Sequence, residues 1–186
     1  MSKPTRLLVL GLGNVLLGDD GLGAAAIASL LDRYAAPAGA RVLDGGTLGL
    51  SLLPYLDEAE VVILVDAIRS DGPPGTLVRL DGDQVAPAVA TRLSPHQIGV
   101  SDLLDGARWL DRYPSRLVLL GLVPEVMELR VGLSPDVARS LPALVVRVVE
   151  EAASLGFCFT ADAPTRTDET PDALGAVDVA RLAWVR

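Results

Sequence analysis

The 186-residue chain contains one cysteine and one histidine, and this scarcity excludes several kinds of site. A single thiol, Cys158, cannot form an internal disulfide or a metal site made of cysteines alone, and we interpret it as an unpaired thiol near the end of the core. A single imidazole, His96, excludes the His-Glu-x-x-His helix of zinc proteases, which needs two histidines. The sequence also lacks the Gly-x-Ser-x-Gly motif, and with it the serine nucleophile of the α/β-hydrolases.

Basic residues and long apolar runs are scarce as well. The chain has 16 basic and 24 acidic residues, a net charge of −8, which disfavours binding to a nucleic-acid backbone. Although 50% of the residues are hydrophobic, no apolar run approaches the roughly 18 residues of a membrane-spanning helix. The first residues lack the apolar region of a secretory signal. We therefore expect a soluble, cytoplasmic protein that contacts neither membrane nor nucleic acid, with a monomer as the default state.

The pattern of apolar residues predicts an α/β fold. Continuous Val-, Ile- and Leu-rich runs predict four buried strands, and helical spacing of apolar residues predicts three helices between and after them. A fifth strand, Thr76 to Leu80, follows a turn-forming segment and is expected to pair with the strand Val61 to Val65 as an antiparallel hairpin. The alternation predicts three layers: a mostly parallel sheet of about five strands with helices on both faces. The remaining predicted strands are Arg6 to Leu10, Arg41 to Leu43 and Arg116 to Leu122; the helices are Leu22 to Tyr34, Val100 to Trp109 and Val137 to Val148.

Composition changes near the end of the chain. The stretch from Thr160 to Pro171 is polar, contains two prolines and has little to bury, which is typical of a flexible segment. We therefore predict one domain at residues 1–157, followed by a flexible tail at residues 158–186.

A glycine-rich loop, Gly11 to Gly23, lies between the first predicted strand and helix. It invites a dinucleotide-binding interpretation, but Leu16 stands where the fingerprint requires its third glycine, so no nucleotide cofactor is expected. Helix capping explains one of the two aspartates in this loop, Asp19 and Asp20. The other, Asp20, remains a candidate for chemistry.

Asp66 ends the predicted central strand, at the edge of the sheet where open α/β proteins bind ligands. Asp44 and Glu125 share that edge, but a tight turn accounts for the first and exposure to solvent for the second. His96 lies in a short turn-like segment, Ser94 to Gly99. Taken singly, His96 is explained as a capping or hydrogen-bonded structural residue, and Asp66 as a strand-end aspartate that caps the following loop. With Asp20 they would form a metal-ligand set of one imidazole and two carboxylates.

Five segments follow one another along the chain: the loop Gly11 to Gly23, Val65-Asp66-Ala67, Pro74-Gly75-Thr76, Ser94 to Gly99 and Gly121 to Glu125. In this order, these segments resemble the hydrogenase maturation endopeptidases, over about residues 6 to 155. The resemblance implies an endopeptidase that removes the C-terminal extension of a nickel-iron hydrogenase large-subunit precursor after nickel insertion. It assigns the metal-binding and catalytic roles to Asp20, Asp66 and His96, although some relatives have glutamate at the first position. It implies nothing for the tail.

Two roles of the metal remain open at this point. A bound ion could activate water and polarise the scissile carbonyl in a metal-dependent, aspartic-type mechanism. Alternatively, the three side chains recognise nickel that the precursor already carries, which the resemblance favours. A divalent metal such as Zn or Cd suits the same ligands. A rival function is a non-catalytic maturation chaperone that uses the same fold to bind a metal or peptide.

Overall fold

The computed structural model of the protein describes residues 6–90 and 95–161, with only the backbone described at residues 90 and 95–98. A five-stranded sheet forms the centre, in the order β3-β1-β4-β6-β5, and all its neighbouring pairs are parallel except β5 with β6. The predicted mostly parallel sheet is therefore confirmed. Its strands are β1 (Leu7–Leu12), β3 (Ala40–Gly46), β4 (Val61–Ala67), β5 (Leu77–Asp81) and β6 (Arg116–Leu122). Two short strands, β2 (Tyr34–Ala35) and β7 (Thr160–Ala161), form a separate two-stranded sheet.

Over the residues that the structure describes, five α-helices and three short 3-10 helices surround this sheet. The α-helices are α1 (Leu22–Arg33), α2 (Leu53–Asp57), α3 (Val85–Ala90), α4 (Pro95–Trp109) and α5 (Pro135–Ser154); the 3-10 helices are Gly18–Gly21, Gly49–Leu52 and Gly82–Gln84. None of the helices in the described part of the chain has both the length and the apolar character needed to cross a bilayer.

The core has two halves, one on each face of the sheet, because alternate residues of a strand point to opposite faces. Val9 and Ile63 pack with α1 and α5, whereas Leu10 and Leu64 pack with α2, α3 and α4. Every residue of β4 is buried, as expected for a central strand covered on both sides. The predicted three layers are confirmed.

The predicted hairpin between the fifth strand and Val61 to Val65 is wrong. β4 already has parallel neighbours on both sides, so β5 pairs at the sheet edge, antiparallel to β6. The connection passes over the end of β6, where the Ile68 N–H donates to the Leu122 carbonyl at 2.9 Å and the Gly75 N–H donates to the Val123 carbonyl at 2.8 Å.

The folded chain extends past residue 157, where we predicted the tail to begin. Phe159 is buried in the same half of the core as α5, and β7 (Thr160–Ala161) pairs with β2 (Tyr34–Ala35). The sequence of β7 does not predict a strand, because its side chains are exposed and its pairing depends on backbone hydrogen bonds. The rest of the predicted tail, residues 162–186, lies outside the described residues.

A network of ion pairs centred on the buried Glu151 connects the edge strand β5 to α5. Glu151, only 3% exposed, accepts two hydrogen bonds from the Arg79 guanidinium at 2.7 and 2.8 Å, and a third from Arg147 at 2.9 Å. Asp81 accepts further bonds from Arg79 and Arg116. The hydrogen bonds from Arg79, opposed by burial, hold the pKa of Glu151 below its ordinary value of 4.5.

This network predicts an acid-sensitive contribution to stability. Because the folded-state pKa of Glu151 is lowered, its contribution is present above pH 4.5 and is lost as the pH falls through the folded-state pKa. We expect Glu151→Gln to reduce the free energy of unfolding at pH 7 by roughly 2 kcal/mol, and by less at pH 3. Urea unfolding at both pH values measures this difference. A loss that is equal at both pH values would contradict the assignment.

Candidate functional site

One edge of the sheet collects the loops that carry the candidate residues. β1, β4 and β6 run in the same direction, so the loops that follow them emerge at one carboxyl edge. α1 begins directly after the loop from β1. α4 precedes β6 and must run back across the sheet, so α4 also begins at this edge.

Asp20 lies in the 3-10 helix Gly18–Gly21, fully buried, and its Oδ2 accepts a hydrogen bond from the Asn14 N–H at 3.0 Å. The loop folds back tightly at Gly13, whose φ is +124°. A Cβ at Gly13 would collide with the Asp20 carbonyl, so only glycine permits this approach. The glycine-rich sequence thus serves to position Asp20 against the end of β1.

Asp66 is the next-to-last residue of β4 and is 1% exposed. It pairs with Gly121 of β6, where a Cβ would collide with the Asp66 carbonyl. The start of α1 contacts the same strand, since a Cβ at Gly23 would lie 2.8 Å from the Val65 carbonyl oxygen. Asp20 and Asp66 are therefore buried on adjacent elements at the same edge.

His96 is the second residue of α4, so the interpretation of Ser94 to Gly99 as a turn-like segment is wrong from Pro95 onward. Proline suits the first helical position because its fixed φ is helical and its missing N–H has no helical partner there. Gly99, one turn later, packs on Gly49, since a Cβ at Gly99 would lie 3.0 Å from the Gly49 Cα. This contact holds the first turns of α4 beside the loop that follows β3.

The side chain of His96 lies outside the described residues, so its convergence with Asp20 and Asp66 stays a prediction. Among the side chains that the structure does describe, no three His, Cys, Asp or Glu residues group as metal ligands. The described backbone places the start of α4 at the same edge of the sheet as Asp20 and Asp66.

Asp19 has a role that the sequence did not indicate. It is fully buried, and its two carboxylate oxygens accept the backbone N–H groups of Glu125 and Val126 at 2.8 Å and of Ser134 at 2.6 Å. The expectation that an aspartate here caps the following helix is wrong, because the cap residue of α1 is Gly21 and these donors lie more than 100 residues away. Asp19 instead fixes the β6–α5 loop, residues 123–134, to the glycine-rich loop.

The two other acidic residues at this edge behave as predicted. Asp44 closes a turn, its Oδ1 accepting the Gly46 N–H at 3.0 Å, and burial raises its pKa although this hydrogen bond lowers it. Glu125 is exposed to solvent. Cys158 is exposed and unpaired, close to β7. β7 pairs with β2 just after the end of α1, so this thiol lies toward the opposite edge of the sheet.

The three hydrogen bonds to Asp19 predict a large effect of a small substitution. Asparagine at position 19 would point an amide donor at backbone donors, so we expect Asp19→Asn to lower the free energy of unfolding by roughly 3 kcal/mol. Asp44→Asn is the matched control: a half-buried aspartate with one backbone donor, expected to lose less than about 1 kcal/mol. Urea unfolding of both variants gives the comparison, and similar losses would contradict the anchoring role of Asp19.

Comparison with protein families gives one clear match. The family model described as hydrogenase maturation protease, HycI, matches residues 25–151, which is more than half of the chain. The matched region includes Asp66 and His96 and begins just after Asp20.

Curated relatives and solved structures agree with this match. The chain is 40% identical to the hydrogenase expression/formation protein HupD of Rhodobacter capsulatus, over 89% of this chain and 80% of that protein. It is 39% identical to the hydrogenase 2 maturation protease of Escherichia coli, over 75% of this chain and 86% of that protein. The structure of the E. coli hydrogenase maturating endopeptidase HybD superposes with a TM-score of 0.81 at 33% identity, covering 89% of this chain and all of that one.

Proposed function

Since the chain belongs to the hydrogenase maturation protease family and is therefore a peptidase, we propose that it removes the C-terminal extension of a nickel-iron hydrogenase large-subunit precursor after nickel insertion. The observation that carries this proposal is the burial of Asp20 and Asp66 at one sheet edge, in a chain with the fold of HybD. Burying a carboxylate costs free energy. Two aspartates buried at the edge where open α/β proteins bind ligands therefore favour a chemical role for both.

The ligand chemistry of these residues fits a metal. Two carboxylates and one imidazole form a set suited to a borderline divalent ion, and three protein ligands leave positions open for water or a substrate group. We propose that Asp20, Asp66 and His96 contact nickel that arrives on the precursor, so that metal loading marks the precursor for cleavage. Zinc or cadmium would suit the same three ligands. A metal held by these residues would supply positive charge near the scissile carbonyl.

We further propose that hydrolysis depends on the two carboxylates rather than on a covalent nucleophile. A carboxylate at the site can accept a proton from the attacking water. The sequence contains no serine nucleophile motif, and the chain's single thiol lies toward the opposite edge of the sheet. The chaperone alternative is less favoured because relatives at 33% to 39% identity are named as a maturation protease and an endopeptidase. The monomeric state and the cytoplasmic location stay predictions.

The proposal predicts that three single substitutions abolish processing. Asp20→Asn, Asp66→Asn and His96→Ala each remove a charge or a ligand, and we expect each to slow cleavage of a nickel-loaded precursor by at least about 100-fold. The rate is measured by gel mobility or mass of the precursor over time. Circular dichroism of each variant checks that it remains folded.

Cys158→Ser is the matched control, because it changes an exposed side chain remote from the site. We expect it to process the precursor at the wild-type rate. Normal processing by folded His96→Ala protein would remove His96 from the proposed site, and loss of activity in Cys158→Ser would instead point to a thiol mechanism.

A further inference from the structure

Asn14, in the loop between β1 and the 3-10 helix Gly18–Gly21, uses its side chain to close a turn. Its Oδ1 accepts the Leu16 N–H at 3.0 Å, and its carbonyl accepts the Leu17 N–H at 3.0 Å. An asparagine side chain that accepts the N–H two residues later forms an Asx turn, which restricts the local backbone dihedral angles. The side chain of Asn14 therefore sets the path of residues 14–17.

The backbone N–H of the same residue holds one of the two buried carboxylates of the site. It donates to Asp20 Oδ2 at 3.0 Å. The peptide plane that carries this N–H is restrained from both sides. Gly13, before it, has a φ of +124° and approaches the Asp20 carbonyl closely, while the Asx turn restrains Asn14 after it. The direction of the N–H toward Asp20 therefore depends on the side chain of Asn14.

The turn also packs directly against the residues around Asp20. A Cβ at Gly21, the next residue, would lie 3.1 Å from the Val15 Cα. The Asp20 N–H donates to the Leu17 carbonyl at 3.3 Å, which joins the end of the turn to the 3-10 helix. Because the turn and the helix are in backbone contact at both of these points, a change in the path of the turn displaces the Asp20 carboxylate.

An oriented hydrogen bond matters more at this carboxylate than at an exposed one. Asp20 is fully buried, and burying a carboxylate costs free energy unless donors point at it. Carboxylates that act at metal sites are themselves held by outer hydrogen bonds, and losing such a partner typically costs about 10- to 100-fold in affinity or activity. The bond from the Asn14 N–H is of this kind.

We infer that Asn14 is a positioning residue for the proposed cleavage. Its side-chain oxygen fixes the turn, the turn directs the Asn14 N–H at Oδ2 of Asp20, and this bond sets the orientation in which the carboxylate acts. This inference rests on the proposed function. The role requires only an acceptor that reaches the Leu16 N–H, so a serine hydroxyl serves in part and alanine does not.

Two substitutions at this position separate the acceptor from the rest of the side chain. Asn14→Ala removes the acceptor, and Asn14→Ser restores a neutral one. With a nickel-loaded precursor as substrate, we expect Asn14→Ala to lower kcat about tenfold and to change KM less than about twofold. We expect Asn14→Ser to have a kcat within about threefold of the wild type. Urea unfolding of both variants sets the conditions under which each is folded, and the rates are compared there.

Ser115→Ala is the matched control. It also removes one hydrogen bond between a side chain and the backbone, from Ser115 Oγ to the Glu60 carbonyl at 2.8 Å, but just before β6 begins, at the opposite edge. We expect its kcat and KM to equal those of the wild type.

A wild-type kcat in Asn14→Ala would overturn the inference while leaving the proposed function intact. A kcat of folded Asn14→Ser protein more than about threefold below the wild type would overturn it too, because the acceptor alone would then not account for the role of Asn14. Failure of the wild-type protein to cleave the precursor would overturn the proposed function and this inference with it.

Discussion

The site depends on one buried carboxylate that is not itself a proposed ligand. Asp19 accepts three backbone N–H groups from the β6–α5 loop, and charge-assisted bonds of this kind offset the cost of burying its charge. They join the loop after β1 to the loop after β6. Since β4 lies between those two strands, the bonds span the carboxyl end of the strand that carries Asp66. This closure fixes the loop that carries Asp20 at the end of the strand that carries Asp66.

Much of the fold was predictable because strands buried on both faces must be continuously apolar. β1, β4 and β6 were found from that pattern, and their common direction followed from the helices between them. The same reasoning placed Asp66 and the loop containing Asp20 at one edge, since parallel strands end together. The location of a candidate site was therefore accessible from the sequence.

The details that the sequence did not reveal depend on contacts between distant segments. The donors to Asp19 lie 106 to 115 positions away, and no local pattern marks a carboxylate that binds backbone N–H groups. The sequence of β5 indicates a strand but does not indicate which strand it pairs with. It pairs with β6 because one side of β6 is free. The short α2 and α3 have too few turns for their apolar spacing to stand out, although Leu56 and Val85 are both buried in the same half of the core.

The central claim is that the residues at this edge of the sheet cleave a hydrogenase large-subunit precursor only after the precursor has bound nickel. The direct measurement is the intact mass of a cognate large-subunit precursor after incubation with the purified protein, in nickel-loaded and nickel-free forms. The account predicts loss of a C-terminal peptide from the loaded form only. Binding of either form without any change of mass would contradict the peptidase assignment, and equal cleavage of both forms would contradict the role of nickel.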